Sequence, residues 1–338
     1  MSPSTETGEV AVRDDLVAIA DLIRENRKFL LTTHEGPDGD ALGSLLGTQH
    51  MLESLGKDSV MFLAAKEFPL PIEYRHLPLE DVFHEPPADL RDRVVIFLDC
   101  GNIDRMPVDF LRDGGSTVVN IDHHHDNTRF GEFNFVDSGA SSTAEIVYEL
   151  AVELDVKISP AMARSLYIGI VTDTGKFMYD STDARTHEVA AALVRAGVDV
   201  DDVNRRLYES VPIEKVRLLS RALAKVELHC GGRLITTCIT AEDYELSGAG
   251  EEMTEGVIDH LRAVEGISVA AVIKDQVSRG QAARKVSLRS GDSTTDVSAI
   301  ARRFGGGGHV RAAGCSTELE LDQIITEICD ALAEQPES

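Results

Sequence analysis

Three short segments of this chain carry side chains that could hold a divalent cation. The first is His34-Glu-Gly-Pro-Asp38-Gly-Asp40, where one imidazole and two carboxylates share a single loop. The second is Asp99, within Phe97-Leu-Asp-Cys-Gly101, and the third is Asp122-His123-His124-His125-Asp126. Carboxylates dominate, imidazole is present, and no cysteines have paired spacing. That donor set suits Mn²⁺ or Mg²⁺, with Fe²⁺ and Co²⁺ also compatible, better than structural zinc. Gly36, Pro37 and Gly39 bend the first loop, so its acids can turn inward together. Buried carboxylates repel one another unless cations convert the repulsion into coordination. Taken singly, each segment has a plainer reading: a helix cap, a turn before a capped helix, a solvated histidine tract. Their joint occurrence favours a metal centre.

The flanking segments explain how distant residues would meet. Phe29–Thr33, Val94–Leu98 and Thr117–Ile121 are short apolar runs, and each delivers acids or histidines just past its end. Amphipathic helices are predicted over Asp14–Lys28 and Ala41–Leu55, with a further strand at Ser59–Leu63. Strands alternating with helices imply βαβ units and a parallel sheet, whose carboxyl edge is where ligands bind. Helices are then predicted over 144–154, 160–171 and 185–196.

Beyond about residue 197 the pattern changes. Helices are predicted over 213–225, 251–264, 296–304 and 321–332, with strands at 234–240, 267–274 and 285–289. The fold expected is α/β: a parallel-sheet domain over 1–196, a connecting segment over 197–215, and a smaller α/β domain over 216–338, with the active site in the cleft between domains. The chain has 338 residues, ample for two cores. Its first ten residues lack the charge and apolar run of a signal peptide and read as a short tail. No apolar run reaches membrane-spanning length. Five cysteines, an odd count without CxxC spacing, favour reduced thiols and a cytoplasmic location. A net charge of −25 argues against tight binding of long nucleic acid, although screening leaves room for a local anion site.

At these residues the sequence resembles the DHH phosphoesterase superfamily. The first motif is His34–Ser44, the second centres on Asp99, the third is Asp122-His123-His124 with Asn127 following, and the fourth is Gly169-Ile-Val-Thr-Asp173-Thr-Gly-Lys-Phe177. The second half is similar to the DHH-associated C-terminal domain, through Lys285-Val-Ser-Leu-Arg-Ser290 and Phe304-Gly-Gly-Gly-Gly-His309-Val-Arg-Ala-Ala-Gly314. The pairing resembles the nano-RNase and 3′-phosphoadenosine-5′-phosphate (pAp) phosphatase branch, NrnA-type. The family pyrophosphatases, the RecJ exonucleases and the membrane-bound cyclic-dinucleotide hydrolases have different domain make-ups.

The resemblance implies two metal sites. His34 and Asp38 would hold one cation, Asp40, His123 and Asp173 the other, and Asp99 would bridge them. His124 would face the substrate phosphate, and Asp122 would orient the neighbouring imidazoles. It assigns no role to His125. The implied cofactor is a pair of divalent ions, Mn²⁺ first and Mg²⁺ second. An activated water would attack phosphorus in line with the leaving alkoxide, without a covalent intermediate. Ser141 and Ser142 lie in no nucleophile elbow, and Ala140-Ser-Ser-Thr143 reads as the cap of the helix beginning near Ala144.

The stretch 279–311 holds seven basic residues and two acidic ones, a balance of +5 inside an acidic chain. A bare glycine run is more often a flexible turn, and arginines a solvated face. Here the charge reversal and the resemblance together point to substrate binding by Arg289, Gly307, Gly308 and His309. The expected activity is degradation of very short RNA and removal of the 3′-phosphate of pAp. Hydrolysis of pApA or cyclic di-adenylate is the alternative, and nucleotide binding without turnover is a third reading that the full ligand set opposes. Expected partners are short oligoribonucleotides, dinucleotides and pAp, with no long or duplex nucleic acid and no membrane. Homodimers are common in the family.

Overall fold

A computed structural model of the chain describes residues 3–105, 109–113, 115–254, 256–276, 284–292, 294–308 and 310–335. The chain divides into two compact units, Met1–Glu209 and Ser210–Ser338.

The first unit runs α1 (Pro3–Glu25), β1 (Lys28–Thr33), α2 (Gly39–Ser54), β2 (Asp58–Met61), β3 (Val94–Leu98), α3 (Phe110–Asp113), β4 (Val118–Asp122), β5 (Phe133–Val136), α4 (Thr143–Glu153), α5 (Pro160–Asp173), α6 (Ala184–Arg195) and α7 (Val200–Asn204). Its sheet has the order β2-β1-β3-β4-β5, and every neighbouring pair is parallel. Phe29, Leu31, Ile96, Leu98 and Ile121 face the main core with Leu42, Leu45 and Leu166. Leu30, Val95 and Phe97 face a second cluster with Phe62 and Leu111. Burial on both faces is why these strands read as continuous apolar runs.

The second unit runs α8 (Ile213–Leu223), β6 (Glu227–His229), β7 (Leu234–Ile239), α9 (Ala241–Ser247), α10 (Val257–Arg262), β8 (Val269–Asp275), β9 (Arg284–Ser290), α11 (Val297–Arg303), β10 (Gly307–Gly308), β11 (Ala312–Thr317) and α12 (Leu321–Ala333). Its sheet is mixed, in the order β10-β11-β9-β8-β7-β6, with β7 and β8 parallel. Helices α11 and α12 pack Ile300, Ile324 and Ile328 against one face. On the other, α8, α9 and α10 cover the β7–β8 half with Leu218, Tyr244 and Leu261.

Most predicted elements lie within about two residues of the observed ones, and four differences have physical causes. Helix α1 begins at Pro3 rather than near Asp14, and proline is accommodated in a helix's first turn. The helix expected over 251–264 is broken: a 3₁₀ turn at Glu251–Thr254 is separated from α10 by Gly256, whose φ of 88° only glycine adopts readily. Within the segment read as a connection, α7 and a π-helical turn at Arg205–Glu209 belong to the first unit. The expectation of reduced thiols fails for one pair. Cys230 and Cys329 form a disulfide with Cα atoms 5.8 Å apart, because the turn after β6 comes beside α12. Cys100, Cys238 and Cys315 are free.

Candidate metal centre

Strands β1, β3 and β4 deliver their acids and imidazoles to one edge of the parallel sheet. Asp99 adopts a positive φ of 59°, a left-handed conformation that aspartate tolerates better than most residues and that turns the chain sharply at the strand end. Its two oxygens face different neighbours. Oδ2 lies 3.6 Å from His34 Nε2, and Oδ1 lies 3.6 Å from His123 Nε2 and 3.6 Å from His124 Nδ1. His123 Nε2 is also 3.6 Å from Asp173 Oδ2 and 4.0 Å from Asp40 Oδ2. Three overlapping donor groups result among the described residues: His34, Asp38 and Asp99; Asp40, His123 and Asp173; and Asp99, Asp122, His123 and His124, the last sharing Asp99 and His123 with the first two. In each, the ligand atoms lie within 4.8 Å of one another, and Asp99 links the first two groups. The residues singled out in the sequence are thus brought together, and their oxygen and imidazole donors fit a pair of hard or borderline divalent ions.

The electrostatics without cations describe the same crowding. Burial, with Asp99, Asp173 and Asp38 nearby, pushes the Asp40 carboxyl well above its usual range. Burial likewise raises Asp173 to about 7. For Asp99 burial opposes ionisation, but the His34, His123 and His124 imidazoles outweigh it and hold the carboxyl low. Burial disfavours a charged His124, yet the Asp122 and Asp99 carboxylates raise it to about 9. His124 Nδ1 lies 2.7 Å from Asp122 Oδ1, and Asn127 Nδ2 donates to the other Asp122 oxygen. His34 Nδ1 lies 2.8 Å from both Glu35 O and Arg105 Nη2. Only the tautomer that donates to Glu35 leaves Nε2 for a cation. The Cys100 thiol, next to Asp99, is pushed by burial up to about 12, so it remains protonated.

Two supports were not read from the sequence, although the first leaves a spacing signal there. In α2, Gly39, Gly43 and Gly47 recur at four-residue spacing against α5. A Cβ on Gly43 would sit 2.6 Å from Ser165 O, and one on Gly169 would sit 2.8 Å from Asp40 Oδ1. This contact holds Asp40 on α2 close to α5, which ends at Asp173. The second support is the first turn of α4. The Thr143 and Ala144 N–H groups donate to the two oxygens of Asp40 at 2.7 and 3.0 Å, and the Thr143 hydroxyl donates to Asp99 Oδ1 at 3.1 Å. Ser142 caps this helix by accepting from Glu145 N, and Ser141 donates to Glu145, so both serine hydroxyls are engaged.

The DHH family, N-terminal domain, matches residues 28–170, and the DHHA1 domain matches residues 239–334. A relative from Thermus thermophilus, named bifunctional oligoribonuclease and PAP phosphatase NrnA, is 34% identical over 310 residues, spanning 90% of this chain and 89% of the relative. This chain belongs to the DHH family. A DHH relative of the same name from Bacillus subtilis is 26% identical, over 89% of this chain and 93% of its own length. A crystal structure of an exopolyphosphatase-related protein from Bacteroides fragilis shares the fold, with a TM-score of 0.85, 22% identity, and coverage of 95% of this chain and 96% of that one. DHH family membership and the clustered donors make divalent cations the cofactor class.

The DHHA1 match falls in the second unit. In β9, Val286, Leu288 and Ser290 are buried, while Lys285, Ser287 and Arg289 point to the opposite face. That face of the β9–β11 half is lined by small residues, Ala312 and Gly314 among them. Gly308 has a φ of 138°, and a Cβ there would sit 2.5 Å from Ala312 O, so no other residue fits. Arg284 is tied to Leu319 O and Glu320, and Arg303 to Glu334, so part of the basic stretch serves the unit itself. Arg289 Nη1 donates to the neighbouring Leu288 carbonyl. His309 and Arg279 lie outside the described residues. Among the described residues, no helix is long and apolar enough to cross a membrane.

Proposed function

We propose that this DHH chain is a two-metal phosphoesterase that degrades very short RNA and removes the 3′-phosphate of pAp. The observation that carries this reading is the pair of donor groups joined through Asp99, whose two oxygens face opposite groups. The Thermus and Bacillus relatives' names support the substrate class. His34 and Asp38 would hold one cation, Asp40, His123 and Asp173 would hold the other, and Asp99, with an oxygen facing each group, would serve both. The ligand set is consistent with Mn²⁺ as the working metal and Mg²⁺ as a substitute. When bound, the cations supply Lewis acidity that activates a water and offsets phosphoryl charge.

The protein's own residues do the rest. His124, held by Asp122, whose carboxylate favours the imidazole's cationic form, hydrogen-bonds a phosphoryl oxygen and stabilises charge as it develops. Buried Thr143 and Ala144 fix the carboxylates from behind. Arg289, Gly307, Gly308 and His309 bind a phosphate or base of the substrate. The acidic chain makes long and duplex nucleic acid poor ligands. The first unit is the catalytic one and the second the substrate-binding one, acting in the cytoplasm.

A titration tests this reading. Phosphate release from pAp is followed as Mn²⁺ is added, for the parent and for Asp99→Ala. The parent should reach full rate only with two equivalents bound, and the variant should lose turnover at every metal concentration. Full activity in Asp99→Ala would overturn it.

A further inference from the structure

Thr143 is fully buried, at the first position of α4, and its donors act on two residues from different strands and helices. Its hydroxyl donates to Asp99 Oδ1 and its backbone N–H to Asp40 Oδ2. These contacts are one-sided. Asp99 Oδ1 is the oxygen that faces His123, whereas Oδ2 faces His34. Asp40, gripped by the same helical turn, belongs with His123 and Asp173. Every hydrogen bond that Thr143 makes to the centre therefore acts on the His123 side, and the described contacts give it none to His34 or Asp38.

We infer that Thr143 is a positioning residue for one cation of the pair: it sets the affinity of the Asp40, His123 and Asp173 group, and leaves the His34 and Asp38 group alone. The inference rests on the two-metal reading. A carboxylate that must aim one oxygen at each of two cations has a broad terminal torsion. A buried hydroxyl on Oδ1 narrows that torsion and occupies one lone pair, directing the other toward His123. Both oxygens share that torsion, so with the donor removed and Oδ2 anchored opposite His34, the carboxylate pivots on Oδ2 through χ1 and χ2 together and the displacement falls on Oδ1. An ordinary helix-start threonine would affect stability without favouring either cation.

The test is calorimetric titration of the full chain with Mn²⁺, for the parent, Thr143→Val and Thr143→Ser. Valine keeps the shape and the backbone N–H but removes the hydroxyl, and serine restores the donor. One binding step should weaken about 10- to 100-fold in Thr143→Val, the other should not move, and Thr143→Ser should bind like the parent. The assignment is checked in single-site backgrounds. In His34→Ala, adding Thr143→Val should weaken the remaining step, and in His123→Ala it should not. Thr143→Ala, which removes the same donor with a smaller side chain, should show the same selectivity, so a misfolded valine variant does not decide the matter. Equal weakening of both steps, or an unchanged isotherm in variants that melt like the parent, would overturn the inference. A parent that binds fewer than two Mn²⁺ would overturn the two-metal reading itself, a different and separately visible failure.

Discussion

Asp122 Oδ1 sits 2.7 Å from His124 Nδ1, inside a buried network in which Asn127 Nδ2 reaches Asp122, Asn120 and the Cys100 carbonyl. The carboxylate thus fixes the ring orientation of His124 and favours its cationic form. Asp122→Ala should lower turnover of pAp about 10- to 100-fold while two Mn²⁺ still bind. It should also move the pH profile. In the metal-free parent, despite burial, the Asp122 and Asp99 carboxylates raise the His124 imidazole to about 9, and Asp122 is the neighbour that stays free to do so when cations are bound. Without Asp122 the alkaline fall in rate should begin at lower pH. Profiles of kcat against pH for the two proteins check this, and superimposable profiles would exclude the charge role.

Metal uptake should compete with protons. In the metal-free protein burial raises the Asp173 carboxyl to about 7, and Asp40 lies well above its usual range. Binding at the Asp40, His123 and Asp173 group requires both deprotonated, so the cation held there displaces protons below that pH. Mn²⁺ affinity should rise as pH increases from about 6 toward 8, with more protons released per cation at the lower pH. Calorimetry in buffers of different ionisation enthalpy measures the release.

The close approach of α2 and α5 should tolerate no added methyl. Gly169→Ala would place a Cβ 2.5 Å from the Ala144 side chain and 2.8 Å from Asp40 Oδ1. It should cost about 1–3 kcal/mol of stability through overpacking and weaken metal binding, because Asp40 must move. Denaturant melts with and without Mn²⁺ separate the two effects.

The candidate ligands His34, Asp38, Asp40, Asp99 and His123 were legible because their segments follow apolar runs, and the runs are continuous because both sheet faces are covered, whereas Asp173, at the end of α5, came only from the family resemblance. Other elements had no such pattern. Strand β5 is four residues, Phe133-Asn-Phe-Val136, too short to show a period. Strand β11, Ala312-Ala-Gly-Cys-Ser-Thr317, carries mostly small side chains and read as part of a glycine motif. The Cys230–Cys329 bond joins residues 99 apart, which no spacing rule reaches. Thr143 looked like part of a helix cap, and its contacts with Asp40 and Asp99 arise only from the fold. The glycines of α2 did recur at four-residue intervals, a signal that could have pointed to the α5 contact.

The second unit should lose stability in acid through one residue. Burial pushes the Asp243 carboxyl up, but Lys225, the Thr240 N–H and hydroxyl, and Arg221 outweigh it and bring it to about 2. A depressed carboxyl contributes stability above its unfolded pKa of about 4. That contribution, roughly 2 kcal/mol, is lost as pH falls toward 2. Asp243→Asn should be less stable than the parent at neutral pH, with the difference closing across that window. Melts at a series of pH values measure it.

The most direct test of the account is a substrate panel at saturating Mn²⁺: pAp, an RNA ladder from the dinucleotide upward, pApA, cyclic di-adenylate and pyrophosphate, with products resolved by chromatography and Asp99→Ala as control. The account predicts fast phosphate release from pAp and mononucleotide release from the shortest RNAs, rates that fall as the RNA lengthens, and no turnover by the variant. Preference for cyclic di-adenylate or pApA, rates independent of RNA length, or no turnover by the parent would contradict it.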